Sequence, residues 1–135
     1  MALVVPVVST PCQAADAKKL ELKCIDTQGP ADQVYIKFYV DGKHVPFSRK
    51  AAQKGTHEKN TYRMNTKGVL IFNAETLKRL TFSKTLRIIV MEDDPVVDDT
   101  LGDITIKRST TSRKTFSGKQ DKVYDYTYEL IWETT

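Results

Sequence analysis

The chain has 135 residues, 40% apolar and 28% charged, with a net charge of +4 from 21 basic and 17 acidic side chains. That is one domain's worth of chain, able to bury roughly 65–70% of the surface its unfolded form exposes, so it needs neither a disulfide framework nor a metal merely to fold. No stretch of 18 apolar residues argues for a spanning helix, and Val, Ile, Leu, Phe and Tyr recur too regularly for a disordered chain.

In chain order, residues 1–17 read as a tail, an edge strand or the remnant of a secretory signal. Leu3-Val4-Val5-Pro6-Val7-Val8 followed by Ala15-Asp16-Ala17 resembles the end of a signal with a small-x-small cleavage site, but a positive leading region is missing. This tilts the reading toward a secreted or cell-surface protein. The two cysteines, Cys12 and Cys24, are too few for a framework; they pair if the tail folds back, and otherwise Cys24 is a small buried hydrophobe.

From residue 18 to the end a single domain is expected, and its dominant period is two. Leu20, Leu22 and Cys24 alternate with Glu21 and Lys23. Residues 34–40, Val-Tyr-Ile-Lys-Phe-Tyr-Val, form a β-branched and aromatic run ending at Asp41-Gly42, a hairpin turn signal. His44–Phe47 can return from it. Asn60–Asn65 and Val69–Phe72 are two short strands around Lys67-Gly68. Ala74–Leu80 is the one helical candidate, at most two turns. Leu86–Met91 reads as a central strand, Ile104–Ile106 as its successor, and Val123–Trp132 as the last. Polar residues 108–122 read as a loop. About eight short strands at roughly 8–15-residue spacing predict an all-β, antiparallel sandwich.

Charge is unevenly spread. Residues 43–87 carry eleven Lys and Arg against Glu58 and Glu75, whereas residues 92–103 carry six carboxylates and no base. The basic stretch reads either as a solvated face or as a surface for a phosphate-rich partner. It is not interleaved with aromatics as a nucleic-acid module would be. His44 and His57 stand in no catalytic signature, so an enzyme is not expected and both read as surface residues.

Two loops concentrate acid. Asp26 and Asp32 flank Gly29-Pro30, and Glu92-Asp93-Asp94-Pro95-Val96-Val97-Asp98-Asp99 places five carboxylates in eight residues. Like charges within about 4–6 Å raise one another's pKa, and a cation removes that penalty. Calcium takes 6–8 oxygen ligands from flexible loops, while zinc would want the His or Cys that neither loop offers. Aspartate also simply favours turns, which accounts for one or two of these residues. Leu86, Ile88 and Val90 share strand parity with Glu92 and Asp94, so those two carboxylates are expected to point one way and Asp93 another.

The order of these motifs resembles the C2 domains. Asp26 through Val40 is similar to the family's first calcium loop and following strand. Leu86–Asp94 with Asp98-Asp99-Thr100-Leu101-Gly102 is similar to its third loop, and Asn60–Asn65 to its Asn-Pro-x-Phe-Asn segment. The resemblance spans about residues 18–132. It implies a C2-like Greek key, bound Ca2+, and ligands Asp26, Asp32, Glu92, Asp94 and Asp99, with Asp98 as the substitute for Asp99. Glu92 stands where the family has Asp, and Gln33-Val34 replaces its Pro.

The resemblance also implies docking on anionic phospholipid. Val96 and Val97 would enter the interface at the third-loop tip, for roughly 3–4 kcal/mol if both were fully buried. Lys37, Arg49 and Lys50 would add about 1 kcal/mol each. The same valines could instead pack inward. A calcium-dependent glycan-binding module is the alternative, with Tyr35, Tyr39, Tyr124, Tyr126, Tyr128 and Trp132 as a stacking surface, although a period-two aromatic stripe reads first as core packing. A metal-free interaction domain is the third reading.

Overall fold

The computed structural model describes residues 14–27, 32–46, 62–93, 99–107, 111–120 and 124–135, with the backbone alone at 32, 111, 119, 120 and 124. The strands are β1 (Ala17–Thr27), β2 (Asp32–Val40), β3 (Lys43–Val45), β4 (Tyr62–Met64), β5 (Val69–Ile71), β6 (Leu86–Glu92), β7 (Asp99–Ile106), β8 (Thr111–Gln120) and β9 (Tyr124–Thr134), with the short helix α1 (Ala74–Lys78) between β5 and β6. The architecture is an antiparallel β-sandwich. One sheet runs β5-β1-β9-β8 and the other β3-β2-β6-β7, with β4 sharing the outer edge of β2 beside β3.

The period-two pattern places the core where alternation demands. Leu20, Leu22, Cys24, Tyr128 and Leu130 of the first sheet face Ile36, Phe38, Ile88, Val90 and Ile104 of the second. Each large side chain so buried stabilises the fold by about 1.5–3 kcal/mol before entropy is counted. Phe72, Leu80 and Phe82, which flank α1, join the same core, and Phe72 meets the Phe38 ring edge-on at 5.6 Å. The helix is shorter than its sequence pattern allows; Asn73 caps it by accepting a hydrogen bond from Thr76 N–H, and nothing in it is buried.

The Asp41-Gly42 turn forms as expected. Both residues have positive φ, 50° and 83°, the geometry whose twist matches a two-residue hairpin between β2 and β3. The polar segment read as a loop does not behave as one. Thr111–Gln120 is a full strand, paired residue for residue with β9 from Thr111 opposite Glu133 to Gln120 opposite Tyr124. It lies at a sheet edge, so Ser112, Arg113, Lys114 and Thr115 are exposed on both sides and leave no hydrophobic alternation to read. The described residues hold nine strands, against the eight the pattern indicates.

Near the beginning of the described chain, Ala15 bridges Phe82 and is buried. Thr135 N–H donates to Asp16 O at 3.0 Å, extending the β1–β9 ladder past Ala17 and Thr134. Cys24 is fully buried. Cys12, like His57, lies outside the described residues.

A candidate carboxylate site at one end of the sandwich

Antiparallel pairing gathers the acidic strand ends. The last residues of β1 and β6 and the first of β2, β7 and β9 stand at the same end of the sandwich. Opposite them, at the other end, lies the β2–β3 turn.

On the second sheet Glu92 keeps the parity expected of it, while Asp94 lies outside the described residues. Val34 pairs with Glu92, Ile36 with Val90 and Phe38 with Ile88, so Glu92 continues the inward-facing row of β6. It is half-buried, and its Oε2 atom is shut off from solvent. Across the ladder Glu92 stands directly opposite Asp99, which is also half-buried. Side chains at directly opposed positions share a face. Asp93 follows the strand, with its N–H donating to Gln33 O at 2.8 Å.

On the first sheet a bulge intervenes. Cys24 pairs with Tyr128 but Asp26 pairs with Thr127, so Ile25 is an extra residue. The bulge reverses the alternation of the last residues of β1, and Asp26 shares the outward side of Thr127, exposed. Next to it, Thr27 is clamped by the Asn65–Gly68 turn: Thr27 N–H donates to Thr66 Oγ1 at 3.0 Å. That turn carries Lys67 at φ 70°. Asp32 begins β2, opposite Met64.

The structure therefore brings Glu92 and Asp99 together at one ladder position and sets Asp26 on the outer side of the other sheet. Among the described residues no three His, Cys, Asp or Glu side chains converge into a metal cage. Asp94, Val96, Val97, Asp98, Arg49 and Lys50 lie outside the described residues. Lys37 sits half-exposed on the outer face of β2, level with Ile89.

Two groups from the sequence reading have other placements. Tyr126, Tyr128 and Trp132 point inward and are buried, as is Tyr35, so they present no aromatic stacking surface. Of the stripe only Tyr39 is described as partly exposed; it lies against His44 at 5.4 Å and under the Arg87 guanidinium at 5.8 Å. Arg87, counted in the basic stretch, makes a bidentate pair with Asp103, Nε to Oδ1 at 2.9 Å and Nη2 to Oδ2 at 2.5 Å. The pairing holds the Asp103 carboxyl below its usual pKa.

Sequence reading missed the residues that shape the start of β7. Val90 pairs with Gly102 but Met91 with Thr100, leaving Leu101 as an extra residue. Leu101 is buried, and its carbonyl accepts a hydrogen bond from Tyr126 Oη at 3.1 Å. A glycine following the acidic cluster was the one available signal.

Comparison with known proteins gives no match to a family model and none to a curated protein. Among solved structures, one described as a C2 domain is 11% identical with a TM-score of 0.40, covering 89% of this chain and 97% of its own. Human GIVD cytosolic phospholipase A2 is 13% identical with a TM-score of 0.33, and the match covers 91% of this chain but 17% of that protein.

Proposed function

We propose that the chain is a calcium-binding β-sandwich module that docks, with its ion, on anionic phospholipid surfaces. The observation that carries this reading is the Glu92–Asp99 pair. Two carboxylates at directly opposed ladder positions repel and destabilise the sheet unless a cation lies between or beside them. Their donor set is all oxygen, which suits a hard divalent ion.

In this reading Glu92 and Asp99 supply the first ligands, with Asp98 as the substitute for Asp99, and Asp32 and Asp94 complete the shell. Asp26, turned to the outer face of its sheet, is the weakest member of the set. Val96 and Val97 supply the apolar contact with the bilayer interface, and Arg49, Lys50 and Lys37 the attraction to anionic headgroups. Three of the rings a glycan would stack on, Tyr126, Tyr128 and Trp132, lie in the core, which disfavours that alternative.

Thermal unfolding in excess calcium, in chelator and in magnesium tests the metal. A ligand that binds only the folded form raises its stability by mass action. The expected result is a calcium-specific rise in Tm that is reduced in Glu92→Gln and Asp94→Asn, with apo stability retained. Sedimentation with phosphatidylserine vesicles, with and without calcium, then tests the docking. No shift at millimolar calcium would overturn the reading and favour a metal-free interaction domain, for which the exposed Val69 and Ile71 on edge strand β5 would be the surface.

A further inference from the structure

Adjacent residues of a strand face opposite ways, and the course of β7 decides which way Asp99, its first residue, faces. Counting back from its far end, the inward residues are Ile106, Ile104 and Gly102. Uninterrupted alternation would next bring Thr100 inward, and residue 98 after it.

The observed register breaks that count. Leu101 is inserted as an extra residue between Gly102, opposite Val90, and Thr100, opposite Met91. Leu101 therefore enters the core at 4% exposure. Thr100 turns outward, where its Oγ1 lies 3.3 Å from Met91 Sδ, and Asp99 turns inward opposite Glu92.

A bulged residue leaves its backbone outside the regular ladder. Here the Leu101 carbonyl is taken up from the opposite sheet by the buried Tyr126 hydroxyl. Two glycines make room for this contact. A Cβ at Gly118 would stand 2.6 Å from Tyr126 Oη, and one at Gly102 would stand 2.7 Å from Phe116 Cδ2. Gly118 keeps the hydroxyl's path open, and Gly102 lets the Phe116 ring close over the bulge.

We infer that Tyr126 is a positioning residue: its hydroxyl holds the Leu101 bulge and so sets Asp99 beside Glu92. The register assignment stands on the geometry alone; its consequence for calcium rests on the function proposed above.

The test is cross-strand nuclear Overhauser spectroscopy on the full chain without metal, comparing wild type, Tyr126→Phe and Ile104→Val, the last a core destabilisation that leaves the hydroxyl in place. Contacts between Met91 and Thr100 and between Glu92 and Asp99 are expected in wild type and Ile104→Val. In Tyr126→Phe they should give way to contacts of Met91 with Leu101 and of Glu92 with Thr100. Should Tyr126→Phe fail to fold, Gly118→Ala displaces the same hydroxyl and should shift the register alike. An unchanged contact pattern in the folded variant would overturn the inference.

Calorimetric titration with calcium chloride is the second arm. Tyr126→Phe should bind about tenfold more weakly, the loss typical when a group that orients a metal ligand is removed, and Ile104→Val should bind as wild type does. A shifted register with undiminished calcium affinity would overturn the positioning role. A shifted register in a protein whose wild type binds no calcium would sink the functional reading and leave the register assignment standing.

Discussion

Asp41 accepts a hydrogen bond from the backbone N–H of Lys84 at 2.6 Å, across 43 positions of the chain. The N–H groups of Ser83 and Thr85 donate to the same carboxylate, and Asp41 N–H donates to Thr85 O at 2.9 Å. One side chain thus joins the β2–β3 turn to the segment that feeds β6. The hydrogen bond from Ser83 N–H, then that from Lys84, holds the Asp41 carboxyl below its ordinary pKa.

This predicts a pH dependence with a definite sign. A carboxyl whose folded pKa lies below its unfolded value contributes stability that is fully present above the unfolded value, near 3.8, and is lost as pH falls through the folded value. Wild type should therefore lose stability faster than Asp41→Asn as pH drops below about 4. At pH 7 Asp41→Ala should cost about 1 kcal/mol, the loss typical of a side chain capping backbone N–H groups. Urea unfolding at a series of pH values measures both; parallel curves for wild type and Asp41→Asn would contradict the assignment.

Gly102→Ala should destabilise by about 1–3 kcal/mol, because the new methyl meets the Phe116 ring and overpacking a filled core costs that much. Phe116→Leu in the same chain should recover part of the loss by clearing the space. Chemical denaturation of the two single variants and the double variant reads the coupling.

Ile71 is 67% exposed on β5, beside Val69 at 48%, at the edge of its sheet. An apolar sheet edge is a template for association. Ile71→Lys should leave unfolding within about 0.5 kcal/mol of wild type. It should also lower the light scattering of concentrated samples.

Cys24, fully buried in the core, should resist thiol reagents in the folded protein and react at the rate of local or global opening. In a Cys12→Ala background, labelling should be slow in buffer and immediate in denaturant. Fast labelling in buffer would mean that β1 opens readily from the first sheet.

How much of this was legible in advance depended on the physics of each segment. β6 alternates, so its parity grouped Glu92 with Leu86, Ile88 and Val90, and the unbroken register of β6 against β2 keeps Glu92 in that row. The Asp41-Gly42 hairpin was equally open to reading, because few residue pairs tolerate two positive φ values. β8 was not legible: as an edge strand it takes its order from β9, and apart from Phe116 its sequence is polar. The two bulges were hidden for a different reason. A single extra residue, Ile25 in β1 or Leu101 in β7, reverses parity without changing composition, so the facing of Asp26 and Asp99 could not be counted from the sequence. The aromatic stripe could belong to core or surface until its neighbours were known, and burial decides it for Tyr126, Tyr128 and Trp132.

The β1–β9 ladder has one more consequence, mechanical in kind. Its two strands are antiparallel, and the chain enters β1 and leaves β9 at the same end, where Ala17 faces Thr134. Force applied between Ala15 and Thr135 would load the ladder's hydrogen bonds singly and in sequence, as a zipper, and not together in shear. A tether attached at those points would peel the first sheet open at low load, starting at the end farthest from the carboxylates, so that Glu92 and Asp99 would be among the last positions to feel the pull.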